Sequence, residues 1–148
     1  MSEHTVNIAW NNQPHAEIDG EYSRNHLLNV DGKQQLGLSA AADFLGDPGM
    51  ADPEQILTGS VSSCHMLFFL AIAQIRGFSV ASYEDEATAI LGKDDTGAMA
   101  ITKIILRPKV AFVHAVPSPE VLDRIHHGAH KRCFIANSLK SQVVVQAR

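Results

Sequence analysis

The feature that most constrains this chain is a long apolar segment bounded by a helix start and a helix stop. Asp52 and Pro53 provide an N-cap and the residue type favoured at the first helical position. Gly77 supplies the stop directly after Arg76. Between them, MLFFLAIAQI at 66–75 is apolar on nearly all sides, whereas a surface helix keeps one polar face. The sequence therefore predicts a long, buried central helix.

Strand patterns lie on both sides of this helix. The stretches before it are short: His4 to Trp10, His15 to Glu17 and Glu21 to Val30. A hairpin turn is expected directly after the last of them, at Asp31-Gly32. Two long patterns follow the helix, Ser82 to Lys93 and Ala98 to Ala115, and they flank a turn at 94–97. Arg107-Pro108 should mark a bulge or an edge in the second of them.

A second helix and a last strand complete the order of elements. The helix opens at Ser118-Pro119 and extends towards Cys133, and the strand covers Gln142 to Ala147. Strands, helix, two strands, helix and strand, without regular βαβ alternation, indicate an α+β protein with antiparallel sheets. The length of 148 residues is typical of one domain, and we predict a single domain over 1–148.

Composition and charge narrow the functional classes. Lys and Arg number 12 against 16 Asp and Glu, and no basic run occurs, so nucleic acid is not an expected partner. The first twenty residues do not resemble a secretory signal, which predicts a cytoplasmic protein. The longest apolar run, Met66 to Ala73, is far below the roughly 20 residues that cross a bilayer, so no membrane association is expected. No motif for a flavin, haem or nucleotide is present, and no cofactor is predicted.

The two cysteines lie in the most distinctive segments. DPEQILTGSVSSCHMLFFLA at 52–71, followed by CFIANSLKSQVVV at 133–145, resembles the OsmC/Ohr family of organic hydroperoxide reductases. The resemblance implies an OsmC-like fold in an intertwined dimer. It also implies a peroxidase in which Cys64 attacks the hydroperoxide, Cys133 closes an intramolecular disulfide, and an external dithiol, such as that of a lipoyl protein, reduces it. The acid and the arginine of the family correspond to Glu54 and Arg24.

Two positions differ from the usual family pattern. Phe134 follows the second cysteine where the reductases usually have Pro, and the surroundings of Arg24 are not rich in Gly. The chain is therefore similar to a less characterised branch of the family.

The chemistry of a peroxidatic thiol makes the same residues reasonable candidates. Such a thiol must react as a thiolate, which a nearby cation stabilises. Cys64 falls in the fourth turn of the predicted helix, where the helix dipole has faded, unless a break near Gly59 restarts the helix. Arg24 is then the better candidate, with Glu54 orienting its guanidinium. Taken singly, however, Cys64 is more typical of inert packing, Glu54 of a first-turn acid and Arg24 of a surface charge.

Helix geometry predicts a shared site. Glu54 and Cys64 are ten residues apart, and ten residues of continuous helix rise about 15 Å, so they cannot be neighbours within one chain. Two helices packed antiparallel about a two-fold axis would bring Glu54 of one chain beside Cys64 of the other. The small residues at 59–63 would allow the close approach. A homodimer is therefore predicted.

Two other functions remain open from the residues. His126, His130 and Cys133 share a helix at i, i+4 and i+7, and with Cys64 or His65 they could form a tetrahedral zinc site. That site would belong to a zinc-binding hydrolase or a zinc-stabilised fold. A non-catalytic stress protein that binds an apolar ligand is the third class.

Overall fold

The structure is a computed structural model and describes residues 1–148. The elements in chain order are β1 (Val6–Ala9), β2 (His26–Val30), β3 (Gln34–Leu38), a 3-10 turn (Ala42–Phe44), α1 (Pro53–Ile75), β4 (Val80–Asp85), β5 (Thr88–Lys93), β6 (Met99–Leu106), β7 (Pro108–Phe112), α2 (Pro119–Arg132), α3 (Phe134–Asn137) and β8 (Gln142–Val145). Contacts divide the chain into two compact units, Met1–Ile56 and Leu57–Arg148. The single domain over 1–148 stays a prediction. The α+β class is confirmed.

The first unit contains a three-stranded antiparallel sheet in the order β1-β2-β3. The predicted hairpin turn between β2 and β3 is confirmed, since Asp31 and Gly32 both have positive φ angles of 48° and 65°. The strand expected at His15 to Glu17 is wrong. There the imidazole Nδ1 of His15 accepts the backbone N–H groups of Glu17 and Ile18, which makes a turn instead.

The predicted long helix is α1, and two reciprocal hydrogen bonds between Asp52 and Gln55 cap its N-terminus. The Asp52 carboxylate accepts the backbone N–H of Gln55 at 2.8 Å, and the Gln55 side chain accepts the N–H of Asp52 at 3.1 Å. Gly77, with φ of +83°, follows the helix end as expected. The helix is continuous through Gly59, so no second helix start stabilises a thiolate at Cys64.

One face of α1 is buried in the core of the second unit. The buried side chains recur every three or four residues: Thr58, Val61, His65, Phe69 and Ala73. Phe69 and Ala73 pack with Ile125 and Ala129 of α2, and Val61 packs with Ile104 and Leu106 of β6. The opposite face carries Leu67, which is 60% exposed in the single chain.

The two long strands predicted after α1 are each divided into two. β4 pairs with β7, and β5 pairs with β6, so the hairpin around 94–97 continues across a break. The break has a specific cause: the Asp85 carboxylate accepts the backbone N–H of Arg107 and the hydroxyl of Ser62. The backbone N–H of Arg107 thus donates to a side chain and not to a neighbouring strand. This is the position where the sequence predicted an irregularity.

The last strand returns to the same sheet in the parallel direction. β8 pairs with β6 in parallel, with Ile104 opposite Val143, while all other pairs are antiparallel. The connection includes α2, which packs on the second unit through Ile125 and Ala129. A parallel pair needs such a long crossover, and α2 provides it.

By length and composition alone α1 is suited to cross a bilayer, with a mean hydropathy of 1.8 over its best window. A core helix passes the same test, and α1 contributes to both clusters of buried residues in the second unit. The property is therefore weak evidence for a membrane span.

Candidate functional site

Cys64 is a half-buried residue in the middle of α1. Its neighbours at one helical turn in either direction, Ser60 and Phe68, line the same apolar cavity as Cys64. His65, the next residue, is the one that is fully buried in this turn of the helix. Cys64 lines the cavity instead, so its thiol is within reach of a ligand there.

Cys133 occupies the joint between two helices and is only 1% exposed. It ends α2, and its thiol caps α3 by accepting the backbone N–H of Ala136 at 3.4 Å. The same sulfur contacts the backbone carbonyl of Val61 in α1 at 3.9 Å, which is suitable for S–H donation. The extended backbone at Cys133, with ψ of 105°, breaks the helix there and places the sulfur against α1.

The two cysteines are free thiols whose side chains are close enough for Cys64 to affect the pKa of Cys133. The pKa of Cys133 is raised to about 11, mainly by burial and also by the neighbouring Cys64, while the backbone N–H of Ala136 opposes the rise. Cys133 is consequently a protonated thiol at neutral pH. The structure therefore brings together an accessible sulfur and a buried, protonated one.

An apolar cavity of about 470 Å³ lies beside Cys64. Its lining residues come from α1 and from the start of α3: Ser60, Ser63, Cys64, Leu67, Phe68, Ala71, Phe134 and Ile135. The rings of Phe68 and Phe134 meet edge to face, with centroids 5.0 Å apart. No charged side chain lines this cavity, and its size is within the range typical of small-molecule sites.

The other two predicted site residues belong to the first unit. Arg24 donates from Nη2 to Glu21 at 2.9 Å and from Nη1 to the carbonyl of Tyr22, and its guanidinium lies 4.1 Å from the centroid of the Tyr22 ring. Glu54 lies in the first turn of α1 and is half-buried. The Arg24-Glu54 clamp and its action on Cys64 stay predictions.

Two buried histidines and the half-buried His130 lie together between α1 and α2. His65 Nε2 and His126 Nδ1 are 3.1 Å apart, with nearly parallel rings, and His130 is close enough to affect the pKa of His65. Desolvation lowers the pKa of both His65 and His126 to about 4, so both are neutral at pH 7. Nitrogens of all three rings are buried without a partner.

The zinc site suggested by the helical spacing gains no support. No group of three or more His, Cys, Asp or Glu side chains in the structure is placed to hold a metal ion. Nδ1 of His126 is directed at His65, and the sulfur of Cys133 is directed at Val61 and Ala136. Spacing on one helix therefore did not produce a set of convergent ligands.

The apolar helix segment at 66–75, which includes Phe68, predicts an apolar wall near Cys64, and Phe68 does line the cavity. Sequence reasoning missed the contribution of Phe134, a residue noted above only as a departure from the usual Pro. The sequence did contain a signal for Phe134, because a residue directly after the second cysteine must lie near the site if that cysteine does. The hydroxyls of Ser60 and Ser63 were likewise assigned to close helix packing, yet both residues line the cavity.

Comparison with solved structures finds the same fold along the whole chain. An OsmC-like protein of unknown function from Vibrio cholerae is 39% identical, with a TM-score of 0.92 and full coverage of both chains. The organic hydroperoxide resistance protein OhrB of Bacillus subtilis is 15% identical, with a TM-score of 0.71 and coverage of 99% of this chain and 98% of that one. An organic hydroperoxide resistance protein OsmC from Legionella pneumophila is 16% identical, with a TM-score of 0.66 and coverage of 99% and 97%.

A comparison with curated protein sequences found no match. The family model described as OsmC-like protein matches residues 46–148, which include both cysteines, the cavity beside them and Glu54. This match and the 39% identity to the Vibrio cholerae protein agree with each other. The chain therefore belongs to the OsmC-like family.

Proposed function

We propose that this protein is a two-cysteine thiol peroxidase that reduces organic hydroperoxides to alcohols. The observation that carries the proposal is the proximity of two free thiols, Cys64 and Cys133, beside an apolar cavity. The fold is shared with two organic hydroperoxide resistance proteins, which supports the same substrate class.

The proposed reaction oxidises the sulfur pair once, at Cys64, and a condensation then forms the disulfide. The Cys64 thiolate attacks the terminal oxygen of the hydroperoxide, the O–O bond breaks, and the alkoxide leaves and takes up a proton as the alcohol. Cys64 is then a sulfenic acid, oxidised by two electrons. The sulfur of Cys133 displaces its hydroxyl, and the proton of Cys133 leaves with that group as water. An external dithiol reduces the resulting disulfide and becomes oxidised itself.

The different environments of the two sulfurs assign their roles. Cys64 lines the cavity, so a hydroperoxide reaches it first. Cys133 is buried, and its pKa of about 11 leaves almost no thiolate at neutral pH to compete for the peroxide. Because the Cys64 side chain is close enough to affect the pKa of Cys133, Cys133 is the natural partner for a disulfide with Cys64.

We also propose a cytoplasmic homodimer as the working form. Alternate residues of β1 and β2 form one apolar sheet face, in which Val6 lies opposite Val30 and Ile8 opposite Leu28. Val6 and Ile8 are 55% and 60% exposed in the single chain. Such a contiguous apolar face is typical of an interface, and a second copy is the partner that the family resemblance implies.

The test is to treat the fully reduced protein with one equivalent of cumene hydroperoxide in the absence of reductant. We expect both thiols to disappear and one intramolecular disulfide to form, with a loss of two hydrogen atoms by mass analysis. Hydrogen peroxide should react more slowly, because it gains nothing from the apolar wall. Binding of the peroxide without any loss of thiols would instead indicate a non-catalytic apolar-ligand-binding protein.

A further inference from the structure

We propose that Phe134 determines the substrate specificity of this site and favours uncharged hydroperoxides that carry an aromatic ring next to the peroxide group. The inference rests on the proposed peroxidase function, and it names the substrate class and the specificity-determining residue.

Phe134 is placed to contact whatever enters the cavity. It is the first residue of α3, directly after Cys133, and its side chain is 70% exposed although it is large and apolar. Its ring meets Phe68 edge to face, at an interplanar angle of 89°. This contact uses only part of the Phe134 ring surface. The rest is open to a third ring on the side of the cavity that also contains Cys64.

The chemistry of the lining selects against charge. Its only polar groups are the Ser60 and Ser63 hydroxyls and the Cys64 thiol, and the Ser60 hydroxyl already donates to the carbonyl of Leu57 at 2.7 Å. A carboxylate in this cavity would lose water without gaining a cation, which is costly. Free acids are therefore poor ligands in this cavity, and neutral ones are favoured.

The position of Phe134 links binding of the substrate's ring to the reaction at Cys64, because both residues line the same cavity. A ring that packs on Phe134 lies in the cavity that Cys64 also lines, and Phe134 directly follows Cys133 in the chain. A peroxide group attached next to that ring is therefore held in the same cavity as the Cys64 sulfur. A peroxide with a small alkyl group reaches the same sulfur without the ring contact.

The experiment compares cumene hydroperoxide with tert-butyl hydroperoxide, two tertiary peroxides that differ by a phenyl in place of a methyl group. We expect Phe134→Ala and Phe134→Leu to lower the ratio of kcat/KM for cumene over tert-butyl hydroperoxide by roughly 3- to 10-fold, the range of one aromatic contact. The loss should be in KM for cumene hydroperoxide. Phe68→Leu should act in the same direction, whereas Ile75→Ala, an exposed apolar change at the end of α1 outside the cavity, should leave the ratio unchanged.

A second measurement does not depend on turnover. The unreactive alcohol 2-phenylpropan-2-ol should slow alkylation of Cys64 by iodoacetamide in the natural protein, benzoate should protect less, and Phe134→Ala should remove the protection. Oxidation of the natural protein by both peroxides, with an unchanged ratio and unchanged protection in Phe134→Ala, overturns the specificity inference and leaves the peroxidase function standing. Protection that depends on Phe134 without any thiol oxidation by either peroxide refutes the peroxidase function while retaining the aromatic site.

Discussion

At the residue scale, the two cysteines differ in their surroundings: Cys64 is accessible from a cavity and Cys133 is buried. Cys64 lines an open cavity, while Cys133 is enclosed at a helix joint and keeps its proton because desolvation raises its pKa to about 11. A nucleophile must be accessible and ionised, whereas a resolving thiol needs only to be close when the sulfenic acid forms. The environments therefore support Cys64 as the attacking residue and Cys133 as the resolving one.

The two cysteines should fail in different ways when replaced. Cys64→Ser should abolish peroxide turnover, because a hydroxyl is a far weaker nucleophile than a thiolate. Cys133→Ser should still consume one equivalent of peroxide and leave a sulfenic acid at Cys64 that dimedone traps, as read by mass analysis. A sulfenic acid trapped on Cys133 in the Cys64→Ser variant would exchange the two roles.

Arg24 is predicted to support the Cys64 thiolate. Arg24→Ala should slow the first oxidation step by about 10-fold or more at pH 7, since one lost charge-assisted contact is worth about 1.5–3 kcal/mol. Stopped-flow rates of thiol loss would measure this, with Arg124→Ala, an exposed arginine on α2, as the control. Equal rates in the Arg24→Ala and Arg124→Ala variants would mean that another cation serves the thiolate.

At the scale of elements, α1 and α2 meet through a buried pair of neutral imidazoles. Desolvation is the main cause of the lowered pKa of His65 and His126, about 4 in each case, and Asp123 and Asp85 oppose it only in part at His126. In the unfolded chain each imidazole takes up a proton near pH 6.5. The unfolded state thus binds more protons between pH 6.5 and 4, and folding stability falls as the pH falls through that window.

The acid sensitivity should depend on this pair. We expect the melting temperature to fall by several degrees between pH 7 and 5, before most carboxylates titrate, and His126→Gln should flatten that dependence even if it lowers stability at pH 7. His127→Gln, at an exposed position on the same helix, is the matched control and should behave like the natural protein. Melting curves at half-unit pH steps would measure both. An equally steep acid dependence in the His126→Gln variant would exclude the buried pair as its source.

At the scale of the whole molecule, the single chain leaves apolar surfaces uncovered in each of its two units. In the first unit, Val6, Ile8 and Leu36 lie on one sheet face and are 55%, 60% and 43% exposed. In the second, Met99 of β6 and Val116 just before α2 are 60% and 73% exposed. Exposed apolar surfaces of this kind favour association, so a dimer is the expected form in solution.

The shared site is tested by subunit exchange. Glu54→Ala and Cys64→Ser proteins should each be inactive or nearly so as pure dimers. After mixing under conditions that allow exchange, hybrid dimers should recover one site that pairs an intact Glu54 with an intact Cys64. Peroxide turnover before and after exchange measures the recovery, with sedimentation to establish the dimer. An active monomer, or no recovery after proven exchange, contradicts the prediction.

Much of the fold could be predicted because it depends on local signals. The Asp52-Pro53 start, the Gly77 stop and the Ser118-Pro119 start determine the helices through capping and φ preferences that neighbouring residues supply. The turn at Asp31-Gly32 is equally local. The irregularity at Arg107-Pro108 has a local signal in the proline, but the division of the strands there also depends on Asp85. Its carboxylate is distant in the sequence and accepts the backbone N–H of Arg107 only in the folded chain.

The sequence by itself determined the two long helices and the α+β class, and it named Cys64 and Cys133 as the candidate redox pair, because short-range backbone preferences and a family pattern can both be read along the chain. Only the tertiary structure decided which thiol is buried, that Cys133 lies close to Cys64, and that Phe134 and Phe68 form one aromatic wall beside them. It also shows a stacked pair of neutral histidines where helical spacing had left a zinc site open as an alternative. These properties depend on the exclusion of solvent and on the relative directions of side chains from different elements. Both are set only when the elements pack together.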